Sequence, residues 1–406
     1  MARRLVVAGL TLAVAAGVAV GAVAQRGGSD QRLANGPKSS PPASDRVYYA
    51  EADHVSRAGL DGRPLGVATT ALFHRVVPTD PVWPSPDRRW LLLADGELID
   101  LSAERPMPPV QAIPPELVVG PGGDFSANVQ PTLATNAPWA DHGRRLVVGY
   151  GGRVTSVELA TGASTLLGKG LLPAGDPVGN GAAYVVDGPA PDLHARGQQD
   201  FFLSASAPVD RIVLATAGGR PRTLTSGPQL VAALHGPSGA TVIASHMAFS
   251  ADGSHLAVEL ALFDGSRRSG AVVVLNRRGG VVGVSPTAFG HGRTWLAWSP
   301  KENILVFGFP GGPQSITGPP EEFFLDPQLW RPGVGDARQL VPPHGLEGLF
   351  RALSCLWSLD GTQLICGDSN VWPVVTLANR EVRQVETVPG QALVWVPAYG
   401  GSSRNG

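Results

Sequence analysis

The feature that most constrains this chain is a phrase that recurs along it: an apolar run ending in an aromatic residue, a Ser-x-Asp-Gly turn, and a second apolar run. It is clearest at 246–275, HMAFSADGSHLAVELALFDGSRRSGAVVVL, where Ala248-Phe249 ends one strand and Ser250-Ala251-Asp252-Gly253 turns the chain. Leu256-Ala257-Val258 then returns, and 271–275 supplies a third strand. Asp-Gly between alternating apolar runs is a strong hairpin signal, because Gly accepts the positive φ of the turn and the Asp carboxylate takes nearby backbone amides.

Copies of this phrase fall at 46–67, 81–101, 137–167, 178–225, 246–284, 295–340 and 354–388. Repeats of about 40 to 50 residues carrying up to four short strands are the signature of propeller blades, since one such sheet needs neighbours to bury its faces. The expected fold is therefore an all-β propeller of seven four-stranded blades, with six or eight fitting if the fourth copy divides differently. The first copy holds only three strands, while 392–396 (ALVWV) matches the strand that precedes the turn elsewhere. Pairing this C-terminal strand with the N-terminal blade would close the ring and remove an open sheet edge.

Composition agrees with many short strands joined by turns: there are 52 Gly and 37 Pro, and long amphipathic helical patterns are hard to find. With 43% hydrophobic and 16% charged residues most of the chain is expected to fold. The net charge is −1 and Lys/Arg blocks are short, so nucleic acid is discounted as a partner.

The N-terminal stretch reads differently. Arg3-Arg4 precedes an uncharged run over 5–24, and Ala22-Val23-Ala24 before Gln25 fits a small-x-small cleavage site. The run is also long enough to span a bilayer. Residues 1–24 are thus expected to be a signal peptide or an uncleaved anchor, leaving the remainder outside the cytoplasm. No Cys follows the run, which excludes a lipoprotein anchor. Residues 25–45 have the Ser/Pro/Gly composition of a linker, 46–397 form the propeller domain, and 398–406 form a tail.

At AFSADGSHLAV, LAWSPKENILVFGF and LWSLDGTQLIC the chain resembles the WD40-like β-propeller repeats of the TolB type, whose loose consensus is an aromatic-Ser-Pro-Asp-Gly turn followed by apolar-x-apolar. The resemblance spans roughly 46–397. It departs from the consensus at Lys301-Glu302-Asn303 and at Asp141-His142-Gly143, and 25–45 leave no room for the extra N-terminal domain of TolB. Such repeats imply the fold well and the function poorly.

Asp87, Asp252 and Asp360 occupy one place in the repeat, so turn capping accounts for them. Trp83, Trp139, Phe249, Trp298 and Trp357 recur just before the turn and are expected to pack between blades. Cys355 and Cys366 flank one hairpin; a two-residue turn at Asp360-Gly361 makes them cross-strand neighbours, whereas a bulged turn leaves them diagonal. A disulfide is expected between them, with two buried thiols as the alternative. The nine His show no metal-ligand spacing, and GxSxG, P-loop and Rossmann glycine motifs are missing, so neither metal nor cofactor is expected.

Two insertions, 187–200 and 309–324, interrupt their blades. Loops on a rigid scaffold are where binding residues concentrate, and Asp192, His194, Gln198, Glu321 and Glu322 are the polar candidates. The expectation is a non-catalytic extracytoplasmic propeller that binds an envelope or secreted protein and touches membrane only through a possible N-terminal anchor. The alternative is an extracytoplasmic propeller enzyme acting on a glycan or peptide at the axial mouth.

Overall fold

The repeated turn is held by one set of hydrogen bonds. The Ser250 amide donates to the His255 carbonyl (2.9 Å), its hydroxyl donates to Asp252 Oδ1 (2.6 Å), and the same hydroxyl accepts from the His255 amide (3.0 Å). The Ser254 amide donates to Asp252 Oδ1 (3.0 Å). Ser85 with Asp87 and Ser358 with Asp360 repeat this arrangement. The fourth turn residue is left-handed: φ is 66° at Gly253, 72° at Gly361 and 58° at Arg88. Where Lys301 replaces Asp, the Ser299 hydroxyl accepts from the Lys301 and Glu302 amides instead (both 3.3 Å).

A computed structural model of the chain describes residues 45–51, 54–69, 82–93, 96–103, 105–113, 137–189, 207–263, 268–285, 296–310, 325–340, 355–366, 371–386 and 391–396. These turns build antiparallel sheets in chain order. Sheet A joins β1 (Arg46–Glu51), β2 (His54–Gly59) and β3 (Pro64–Val67) to the C-terminal β28 (Gln391–Val396), with Arg46 opposite Val396. Sheet B holds β4 (Trp83–Pro84), β5 (Trp90–Leu92), β6 (Glu97–Asp100) and β7 (Val110–Gln111). Sheet C holds β8 (Trp139–Ala140), β9 (Arg145–Tyr150), β10 (Arg153–Glu158) and β11 (Ser164–Lys169).

Sheet D has eight strands. Its first half is β12 (Leu171–Gly175), β13 (Gly181–Asp187), β14 (Ala207–Thr216) and β15 (Arg222–Ser226). Its second half is β16 (Thr241–Phe249), β17 (His255–Phe263), β18 (Arg268–Asn276) and β19 (Val281–Val284). Sheet E holds β20 (Leu296–Trp298), β21 (Leu305–Pro310), β22 (Leu325–Trp330) and β23 (Arg338–Gln339). Sheet F holds β24 (Cys355–Trp357), β25 (Gln363–Cys366), β26 (Val371–Thr376) and β27 (Glu381–Glu386).

The architecture is an all-β propeller, but seven separate four-stranded sheets are not what the described residues form. They form five four-stranded sheets and one eight-stranded sheet. The cause is β14, whose ten residues overrun its hairpin so that Ala207 and Pro208 pair with Ala244 and Ile243 of β16. The fourth copy also starts earlier than the 178–225 expected, at β12, because Asp176 replaces the usual Ser: its amide donates to the Gly181 carbonyl (2.9 Å) as a Ser amide does elsewhere. A helix, α1 (Gly227–Ala233), follows β15, and its Ser226 amide and side chain are capped against Gln229. Among the described residues no helix is long and apolar enough to cross a membrane.

Each sheet buries apolar side chains on both faces against its neighbours. Tyr48 and Val394 of sheet A pack on Leu91 and Ile99 of sheet B; Leu92 and Leu98 of B pack with Trp139 and Val148 of C; Val147 and Val154 of C pack with Tyr184 and Val213 of D. The two halves of D share Leu214, Met247 and Val258. Ala257 and Val274 of D meet Phe307 and Trp330 of E; Val306 of E meets Leu364 and Val375 of F; Ile365 and Trp372 of F meet Val47 and Trp395 of A. Indole N–H groups tie neighbouring sheets: Trp139 donates to the Trp83 carbonyl (2.9 Å), Trp298 to Ala248 (2.9 Å) and Trp357 to Ala297 (3.0 Å). The aromatics before the turn therefore bridge sheets, as their recurrence implies.

One ion pair knits the two halves of sheet D. Arg277, in the β18–β19 turn, reaches both carboxylate oxygens of Asp176 (3.1 and 2.5 Å) and the Gly253 carbonyl (3.0 Å). The Asp176 side chain is fully buried, whereas that of Arg277 is 38% exposed. Removing the arginine strands a buried carboxylate, while removing the carboxylate leaves a cation that can turn to water. Urea denaturation is expected to show Arg277→Ala losing about 3 kcal/mol, and Asp176→Asn losing clearly less. Equal losses, or none, would contradict the asymmetry.

Candidate functional site

The two ends of the sheets differ in kind. At the end carrying the Ser-x-Asp turns, neighbouring turns bond to one another. The Asp141 amide donates to the Asp176 and Gly179 carbonyls (3.0 and 2.9 Å), and the His142 amide donates to Pro177 (2.6 Å). Asn303 Nδ2 donates to Asp252 Oδ2 (3.3 Å). A Cβ at Gly143 would lie 3.4 Å from Pro86, and one at Gly361 only 2.8 Å from the Ser299 hydroxyl, so turns of adjacent sheets also pack directly. Docking onto the next turn holds Asp141 and His142 left-handed, with φ of 51° and 55°.

Carboxylates at this end are occupied. Burial pushes the Asp252 carboxyl up, but the Ser250 hydroxyl, the Ser254 amide and hydroxyl, and Asn303 outweigh it and hold its pKa down to about 2. The Asp360 carboxyl is likewise raised by burial and lowered further by Ser358 and Thr362. Among the described residues no three His, Cys, Asp or Glu side chains gather as a metal ion would require.

At the opposite end lie the long connections. Antiparallel strands alternate direction, so the links between described strands over 68–82, 112–138, 188–206, 227–240, 285–295, 311–324 and 340–354 all leave and re-enter the sheets away from the Ser-x-Asp turns. Asp192, His194, Gln198, Glu321 and Glu322, the candidates on the two insertions, belong to these links and lie outside the described residues.

The described residues hold a polar pair that spacing motifs do not reveal. His246 on β16 stands directly opposite Glu259 on β17, with Nδ1 2.7 Å from Glu259 Oε2. Both lie two residues from the Ala248–Ala257 pair, on the face that meets sheet E, and further from the turn. Glu259 is also opposite Val272 on its other side, so its carboxylate sits in an apolar patch and pairs there with His246. The Glu259 side chain is 11% exposed and that of His246 41%. A register irregularity between Ala244 and His246 sets the strand's bend at this point. The signal in the sequence was the hairpin register: His246 lies four residues before Ser250 and Glu259 four after His255.

Cys355 and Cys366 also stand directly opposite, on β24 and β25, with their sulfurs joined and their Cα atoms 4.2 Å apart. Ser358 and Gln363 form a hydrogen-bonded pair, so by alternation Cys355 and Cys366 fall at a non-hydrogen-bonded pair, where backbones come closer.

The sheets and their repeated turn define a β-propeller. No family model matches the chain, and no curated protein does. Among solved structures, the chain is similar to an oligogalacturonate lyase in complex with manganese (15% identity, 87% of this chain and 94% of that one, TM-score 0.46). It is similar also to a putative TolB from Agrobacterium tumefaciens (13%, 87% and 92%, 0.37) and to the β-propeller domain of Cps50 (Swd1) from Myceliophteria thermophila (12%, 77% and 88%, 0.42). The roles of these proteins differ, and the likeness is one of fold.

Two outcomes check the reading of the turn end. His142 is exposed, so His142→Gly removes only the left-handed penalty and is expected to raise stability by about 1 kcal/mol; a loss in thermal unfolding would show that the side chain does more. For Asp252 the folded pKa lies below the ordinary 3.8, so its contribution is present above 3.8 and lost as pH falls through about 2. Wild type and Asp252→Asn are expected to differ modestly near neutral pH, since the group is partly solvated, and to converge in strong acid.

Proposed function

We propose that the protein is a non-catalytic binding module outside the cytoplasm, presenting the long connections at one end of a rigid propeller to an envelope or secreted protein. The observation that carries this reading is the division between the ends: turns bonded to turns at one, and every long link between described strands at the other. Rigid sheets with variable connections are the usual arrangement for recognition. The joined Cys355 and Cys366 support an oxidising compartment. Export rests on residues 1–24 acting as a signal peptide or anchor, 25–45 as a tether, 46–397 as the propeller and 398–406 as a tail.

The same reading counts seven blades. The halves of sheet D each have four strands and meet through two residue pairs, so each half serves as one blade. Pairing of β28 with β1, packing of sheet F on sheet A, and packing of sheet A on sheet B support a ring closed by the C-terminal strand.

The test is capture of partners by tagged full-length protein from intact envelopes, with mass spectrometry and metal analysis of one sample. A reproducible protein partner is expected, lost when 311–324 is replaced by a short Gly/Ser link that leaves the circular dichroism spectrum unchanged. A bound metal or sugar without a protein partner, or binding that survives replacement of both insertions, would overturn the reading.

A further inference from the structure

On the outer rim of sheet D, at the end carrying the Ser-x-Asp turns, arginines gather with few carboxylates to answer them. The β14–β15 turn brings Arg220 and Arg222, and the β18–β19 turn brings Arg277 and Arg278. The two turns are neighbours: Arg222 Nη2 donates to the Arg277 carbonyl, and a Cβ on Gly279 would collide with the Leu224 backbone. Arg277 is engaged by buried Asp176, but Arg220, Arg222 and Arg278 are exposed and form no ion pair among the described residues. No Asp or Glu lies between Asp210 and Asp252, nor between Asp264 and Glu302. Asp252 spends its oxygens on Ser250, Ser254 and Asn303, and Glu302 pairs with Arg331. Even with Asp176 and Asp252 counted, the four guanidinium groups leave this stretch positive in a chain whose net charge is −1. Like charges on adjacent turns repel, and the Arg220 and Arg278 side chains make no hydrogen bond that would repay it within the fold.

The path of the chain says what faces this rim. Arg46, the first residue of β1, stands opposite Val396, the last of β28, just as Leu256 stands opposite Phe249 across the Ser250 turn. The chain therefore enters the propeller at the Ser-x-Asp end, and the tether expected over 25–45 attaches there. An anchor over 1–24 would hold this end toward the bilayer and turn the long connections away from it. Guanidinium groups pair well with phosphate oxygens, and an anionic bilayer favours each arginine near its surface by about fivefold.

We propose that Arg220, Arg222 and Arg278 form a docking surface for the anionic headgroups of the membrane to which the chain is tethered, setting the propeller with its long connections outward. The inference deepens the binding-module reading, and it rests on the anchored form of that reading for the side that faces the bilayer.

The test is arginine modification by phenylglyoxal, read by mass spectrometry on the full chain with vesicles of phosphatidylcholine alone or mixed equally with phosphatidylglycerol. Arg220, Arg222 and Arg278 are expected to react several-fold more slowly with the anionic vesicles than with the neutral ones, and to regain their rate in high salt. Arg153, exposed at the opposite end, is expected to react alike with both. In Arg220→Gln/Arg278→Gln, with an unchanged circular dichroism spectrum, Arg222 is expected to lose most of its protection. Equal rates with both lipids, or equal slowing at Arg153, would overturn the proposal. Protection by soluble polyglutamate but not by anionic vesicles would overturn it too, and would point to an acidic protein instead. Flotation of the same samples reads the anchor separately: a chain that leaves neutral vesicles yet keeps its arginine protection on anionic ones refutes the anchor and supports the docking surface. Partner capture tests the binding-module reading independently of either.

Discussion

A four-stranded antiparallel sheet in this chain is apolar on both faces, and no single sheet can bury both. Everything else follows from that. Val47 and Tyr48 are adjacent on β1 and fully buried on opposite faces, one against sheet F and the other against sheet B. Val147 and Val148 do the same on β9, facing sheets D and B. Each sheet therefore takes its stability from two neighbours, and burial of such side chains contributes roughly 1.5–3 kcal/mol apiece. The indole hydrogen bonds from Trp139, Trp298 and Trp357 set the stagger of one sheet on the next, because each reaches a backbone carbonyl at an equivalent position of the preceding sheet.

This dependence explains why the two ends diverge. Adjacent sheets must keep their register, and the short turns do it with backbone amides, the Asp176–Arg277 pair and close glycine contacts. Left-handed Asp141 and His142, whose amides bond to the next turn, show that this end accepts local strain for the sake of docking. A side chain added at Gly253 or Gly361 meets the neighbouring turn. Insertions in links that leave and re-enter the sheets at the opposite end need not disturb the interfaces, although β14 and β16 do pair there through Ala207 and Pro208.

Much of this was legible in the sequence. The Ser-x-Asp phrases located the hairpins at Ser85, Ser250 and Ser358, and the aromatic residues before them pointed to contacts between sheets. The fourth copy was harder, because Asp176 stands where Ser is usual and the preceding strand, Leu-Leu-Pro-Ala-Gly, lacks the alternation of a half-buried strand. The union of two strand groups into sheet D depends on how far β14 overruns its hairpin, which is a tertiary property. α1 spans seven residues, too few to show a helical period, although its Ser226-x-x-Gln229 cap was readable. His246 and Glu259 escaped notice since neither belongs to a spacing motif; only the strand register brings them together. The loop candidates from Asp192 to Glu322 fall outside the described residues.

The central claim is that recognition belongs to the end away from the Ser-x-Asp turns. Hydrogen exchange read by mass spectrometry on the full chain, alone and with a captured partner, tests it most directly. The account predicts slowed exchange in peptides covering 188–206 and 311–324, with the turns at 85–90, 250–255 and 358–363 unchanged. Protection confined to those turns, with the long connections unaffected, would contradict it.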